Sequence, residues 1–163
     1  MYLVPGVTLI PQTRTMACWC ASAKMLIQWK RNTVGMTLRD NPDPSELSQT
    51  VVWEVSNQGI TNPQVIQLAK GLGLRTVPPQ TMDLRGLDAL LRKHGPLWTN
   101  GKSHIVVIAG VDEGSGGRLQ VYDPWPVNMG KVEWRSYQWY LSGGAADSRD
   151  TGRDVQTVFL YHP

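Results

Sequence analysis

The stretch HIVVIAGVDEGSGGRLQVYDPW, residues 104–125, reads as a β-hairpin with reactive side chains at its open end. Ile105 to Val111 is an unbroken apolar run, Leu119 to Tyr122 is a second β-prone run, and the DEGSGG segment at 112–117 between them has turn composition. With the turn centred near Gly114 or Ser115, position 104 falls opposite about position 125, which places His104 and Asp123 at one end within roughly two strand residues. A carboxylate there can fix the tautomer and orientation of the imidazole. Taken singly, a histidine at a strand edge and an aspartate before Pro124 are ordinary features. The hairpin is what makes them a pair.

On both sides of this hairpin the chain is β-prone: 96–99, 132–134 and 155–161 are short runs between Gly-rich or polar turns. Residues 1–15, with Pro5, Gly6 and Pro11, read as an extended lead-in without sustained period, and from there to Gly95 the chain is helical in pattern. The first helix is expected from Met16 or Ala17 to about Lys30, with Trp19, Ala23, Leu26 and Ile27 as its apolar stripe. A second is expected after Ser45 as N-cap, burying Leu47, Val51, Val52 and Val55 and ending by Gly59. Asn62 and Pro63 announce a third, closed at Gly71, and the fourth lies near Asp83 to His94 with Leu84, Leu87, Leu90 and Leu91. Helices first and strands second predict an α+β fold, N-terminal helices on an antiparallel sheet, in one domain over residues 1–163. The stretch from Gly143 to Asp154 is expected to be a mobile surface loop.

Cys18 stands where the first helix starts. A thiol is a strong nucleophile only as thiolate, and a helix N-terminus and a nearby imidazolium both favour that form. The alternative is an inert core cysteine, since free cysteine is among the most buried residues. Cys20 lies two residues on, about 200° around the helix, so both thiols cannot face one cleft, and Cys20 is the better core candidate. Gln12, six positions before Cys18, can offer its amide to an oxyanion beside the Cys18 N–H, or it is a solvated loop residue.

Composition excludes several classes. Cys18 and Cys20 are too close for an unstrained structural disulfide, and two cysteines with three scattered histidines supply no metal-ligand spacing. No cofactor is expected. The formal net charge of +3 comes from 16 basic and 13 acidic residues without a Lys/Arg cluster, so nucleic acid is not indicated. The longest apolar run is far short of the ~20 residues of a spanning helix, and the N-terminal MYLVPG lacks the basic and apolar regions of a cleaved secretory signal. His94 at a helix end and His162 near the C-terminus read as structural.

Together, Gln12-x5-Cys18-Trp19 opening a helix, His104 before a β-run, and Tyr122-Asp123-Pro124-Trp125 resemble the papain-like cysteine peptidases. The spacings of 86 residues from Cys18 to His104 and 19 from His104 to Asp123 are similar to those of the short bacterial branch, which includes avirulence protease effectors of plant pathogens and bacteriocin-processing peptidase domains. The resemblance implies a papain-like fold and a cysteine endopeptidase. It implies Cys18 as nucleophile, His104 as general base and then acid, Asp123 as orienter, Gln12 as oxyanion donor and Trp125 as a shield for the His–Asp pair. The chain departs from papain itself in carrying Cys20, no disulfide framework, and Asp as the third residue. From the branch follow a protein or peptide substrate, cleavage after glycine, and an effector or toxin made in a bacterial cytoplasm and delivered by a secretion system. A cognate inhibitor or immunity protein is then an expected partner. Two other readings stay open at this level: an amidase acting on cell-wall peptides, and a papain-like binding module of weak or no turnover.

Overall fold

The computed structural model describes residues 1–35, 42–101, 104–143 and 157–163. In chain order its elements are β1 (Tyr2–Leu3), α1 (Cys18–Val34), a 3-10 turn (Pro44–Glu46), α2 (Ser48–Val55), α3 (Asn62–Leu72), β2 (Arg75–Gln80), α4 (Leu84–His94), β3 (Leu97–Asn100), β4 (Ile105–Asp112), β5 (Arg118–Asp123), β6 (Lys131–Ser136), α5 (Tyr137–Leu141) and β7 (Thr157–Tyr161). The seven strands form one antiparallel sheet in the order β2-β7-β3-β4-β5-β6, with β1 beside the end of β4. The fold is thus α+β, as the order of helical and β-prone segments predicts.

β4 is apolar from Ile105 to Val111 because both of its faces are covered there, which removes the polar alternation of a half-exposed strand. Ile105 and Val107 join the cluster built on α1 and α3 with Trp19, Leu26, Leu68 and Trp98. Val106 and Ile108 join a second cluster with Leu87 and Leu91 of α4, Leu119, Val121 and Phe159. The sheet is therefore the shared wall of two cores, with α1 and α3 over one face and α4 over the other.

The expected stripe of α1 is buried, and the helix runs past Lys30 to Val34, where Gly35 closes it in the left-handed conformation. The helix after Pro44 differs from expectation. Asp43, not Ser45, caps a short 3-10 turn in a capping box with Glu46, and α2 starts only at Ser48. It buries Thr50 and turns Trp53 and Glu54 toward α1, where Trp53 meets Trp19 edge to face and Glu54 pairs with Lys24. Val52 and Val55 consequently face outward, at 58% and 59% exposure, and not into the core. In α3 the cap is Thr61, one residue before Asn62, and Gly73 ends the helix.

β2, β1 and α5 have no counterpart in the sequence reading. The two prolines of RTVPPQ argue against a strand, and the sheet accepts them because β2 is at its edge. Of the expected surface loop, the part from residue 144 onward lies outside the described residues.

Candidate active site

The 104–123 hairpin folds with Asp112 opposite Arg118 and Gly110 opposite Gln120, but Ile108 is opposite Val121 and Val107 opposite Tyr122. One extra residue, Ala109, has entered β4. Carried one step further, the ladder sets Asp123 opposite Val106, two strand residues from His104 and on the same side. Without the bulge Asp123 would oppose Val107 and alternate to the other side. The side chains do meet: His104 Nε2 lies 2.5 Å from Asp123 Oδ1. The same oxygen accepts from Trp125 N–H at 2.9 Å. A carboxylate that only accepts leaves the hydrogen of this contact on Nε2.

The other neighbour of the imidazole is Cys18. The thiol is near enough to favour the protonated ring, and with Nε2 held by Asp123 the ring nitrogen left for it is Nδ1. Burial pulls the His104 pKa down, but the hydrogen bond to Asp123, the neighbouring Cys18 thiol and the charges of both groups outweigh it, raising the pKa to about 9. At neutral pH the imidazolium is favoured. Cys18 is partly accessible, whereas Cys20 is fully buried in the core below it. Burial pushes the Cys20 thiol up to about 12, against the nearby Lys24 and reinforced by Glu54, so it stays protonated and unreactive.

α1 reaches this position through its first turn. Trp19, fully enclosed, accepts on its carbonyl from Trp98 Nε1 at 3.0 Å and donates its own Nε1 to Gln58 C=O at 3.2 Å. No acidic residue stands in the first turn to offset the partial positive charge of the helix start.

Gln12 is almost wholly buried, not a solvated loop residue. Its Nε2 donates to Arg14 C=O at 2.8 Å and Thr15 C=O at 2.9 Å, which closes the turn leading to Cys18. Its Oε1 has no partner among the described residues. The Gln12 backbone reaches the other half of the site: its N–H donates to Pro124 C=O at 3.0 Å, and its C=O accepts from Asn128 N–H at 2.8 Å. Trp125 is 44% exposed, and its interaction with the pair is the backbone N–H on Asp123. Sequence reasoning passed over Asn57, whose Oδ1 accepts from Met16 N–H and whose Nδ2 donates to Thr15. An asparagine before Gln58-Gly59 signals a turn, but nothing in the sequence links it to residues some forty positions earlier.

The other histidines stand apart. His94 ends α4 and stacks on Tyr161 with ring centroids 3.9 Å apart, and His162 is buried beside Pro163. Among the described residues no group of three His, Cys, Asp or Glu side chains is placed to hold a metal ion, and no helix is long and apolar enough to cross a membrane.

The fold that carries this site has counterparts among solved structures. The peptidase domain of Streptococcus ComA, a bi-functional ABC transporter involved in a quorum-sensing pathway, superposes with a TM-score of 0.57 at 20% identity, covering 96% of this chain and 99% of that one. UfSP from C. elegans superposes with a TM-score of 0.63 at 15% identity, covering 99% of this chain and 35% of that one. At these identities the two share the fold. No curated protein matches the sequence. The family model described as papain-like cysteine protease AvrRpt2 matches residues 4–142, most of the chain. The chain belongs to that family and is a papain-like cysteine protease.

Proposed function

We propose that this single catalytic domain is an endopeptidase working by acyl transfer from Cys18, with His104 and Asp123 completing a triad. The observation that carries the reading is the 2.5 Å contact of His104 Nε2 with Asp123 Oδ1 on a ring that the Cys18 thiol also influences. An imidazolium beside a thiol favours the thiolate, which attacks the scissile carbonyl, forming the S–C bond. The Cys18 N–H, at the helix start, stabilises the oxyanion. Gln12 assists by exchanging one of its two carbonyl acceptors for the substrate oxygen. As the C–N bond breaks, His104 gives its proton to the leaving amine, then takes one from the water that hydrolyses the thioester. Asp123 keeps Nε2 protonated and the ring turned so that Nδ1 meets the sulfur.

The substrate is a protein or peptide, and we read glycine as the residue preferred before the cut. The turn before Cys18 supports this reading: the Met16 terminal methyl reaches to 3.4 Å from where a Cβ on Gly59 would sit, which brings that turn close to the facing loop. From the resemblance to the short bacterial branch we further infer an effector or toxin role, with delivery to a target cell and a cognate inhibitor in the producer.

The first test is intact-mass detection of labelling by iodoacetamide or an E-64-type epoxide across pH, on wild type, Cys18→Ala and His104→Ala. Fast single labelling at Cys18 below the ~8.5 of a free thiol, lost in both variants, is the expected result. Labelling that follows ordinary thiol ionisation, or falls on Cys20, overturns the site. A peptide library varied at the residue before the cut then tests the glycine preference, which Met16→Ala should relax. Release of soluble fragments from peptidoglycan would favour the amidase instead.

A further inference from the structure

The turn that presents Cys18 is gripped from outside its own segment. Asn57, in the loop between α2 and α3, has a left-handed backbone with φ 51°, which asparagine adopts more readily than most residues. Its Oδ1 accepts from Met16 N–H at 3.0 Å, and its Nδ2 donates to Thr15 Oγ1 at 2.9 Å. The neighbouring Gln58 C=O takes Trp19 Nε1–H. One short loop therefore holds residues 15, 16 and 19, on either side of the nucleophile.

This grip decides which amides are engaged. Met16 N–H goes to Asn57, and Ala17 N–H goes to Arg14 C=O at 3.2 Å. Cys18 N–H comes next and has no acceptor among the described residues, as expected for the first amide of a helix. An oxyanion donor is effective only if it is aimed beforehand at the place where the charge develops. The peptide planes at 16 and 17 set the direction of Cys18 N–H, and Asn57 is the side chain that fixes the first of them.

We propose that Asn57 is a positioning residue for acyl transfer, holding the 15–18 turn so that Cys18 N–H points at the oxyanion. The proposal rests on the reading of Cys18 as nucleophile, and it assigns Asn57 no contact with substrate.

Two reactions of the same sulfur separate aim from reactivity. Iodoacetamide alkylates the thiolate by displacing iodide, and no oxyanion forms. The p-nitrophenyl ester of N-benzyloxycarbonylglycine acylates it through a tetrahedral oxyanion, which collapses with departure of p-nitrophenolate to leave a thioester. Asn57→Gly retains access to the left-handed backbone and removes the amide. It is expected to slow acylation by about tenfold to a hundredfold while alkylation stays within about twofold of wild type with the same pH profile. Asn57→Asp, which keeps an acceptor for Met16 N–H, should recover most of the acylation rate. Acylation at the wild-type rate in Asn57→Gly, or parallel loss of both reactions, overturns the positioning role. If Asn57→Gly fails to fold, Thr15→Val makes the comparison from the other end of the clamp: selective slowing of acylation supports the proposal and unchanged acylation overturns it. A wild-type protein that reacts with neither probe faster than free cysteine removes the nucleophile assignment and this proposal together.

Discussion

His104 and Asp123 meet at 2.5 Å because β4 carries one more residue than β5 between Ile108 and Gly110. A regular ladder would send the two side chains to opposite sides of the sheet. The bulge at Ala109 thus decides whether the histidine has a carboxylate behind it, although it lies five residues along the strand from the ring.

The pH dependence of turnover should follow this contact. Asp123 favours the protonated ring, so its removal lets burial dominate and lowers the His104 pKa from about 9. Asp123→Asn is therefore expected to move the alkaline limb of the kcat/KM profile to lower pH, with the maximum reduced by a factor on the order of 10² or more. A profile unchanged in position would show that Asp123 does not act on the histidine.

Stability carries the same signature with a defined sign. The folded-state pKa of His104 is raised, so the contribution of its pairing is fully present below the ~6.5 of a free histidine and is lost as pH rises through about 9. Thermal melts of wild type and Asp123→Asn should differ most near pH 6 and converge above pH 9. A gap that widens with rising pH contradicts the assignment.

The two thiols should behave as different chemical species. Native protein is expected to take up one iodoacetamide near neutral pH, at Cys18, and a second only after denaturation, since Cys20 is enclosed and held protonated. Peptide mapping of the labelled sites checks this, and Cys20→Ala should retain substantial activity.

Gly95 offers a test of the scaffold. It leaves α4 with φ 78° and ψ −153°, and a Cβ there would run into the Trp29 ring. Gly95→Ala is expected to destabilise the fold by about 2–4 kcal/mol from combined backbone strain and overpacking, measured by urea unfolding. A loss below ~0.5 kcal/mol, the scale of an ordinary surface change, would mean that the ring yields freely.

Much of this site was legible in the sequence because its cues are local. Cys18 at a helix start, the apolar run after His104 and the turn before Arg118 each announce themselves within a few residues. The hairpin estimate set position 104 opposite about position 125, and the observed ladder, extended past Val107, reaches the same pairing because the bulge offsets a turn centred slightly later. What escaped depends on distant partners. The face of α2 was misread because valines at 52 and 55 suggest a buried stripe, while the contacts that orient the helix come from Trp19 and Lys24 of α1. β2 was missed because its prolines are acceptable only at a sheet edge, and edge position follows from strand order. Asn57 was missed for the same reason: its partners lie in a turn some forty residues earlier.

The backbone of Gln12 pairs on both sides with the segment just after Asp123, to Pro124 and to Asn128. The lead into the nucleophile and the segment that follows Asp123 are thereby laced into one piece. Changes of chain length are consequently unequal in effect. The Glu113–Gly117 turn, at the far end of the hairpin, can lengthen without disturbing the lacing, whereas one residue added between Asp123 and Asn128 must break it. In homologous or engineered forms of this scaffold, the first turn is a place where new sequence can be grafted, and the second is a ruler.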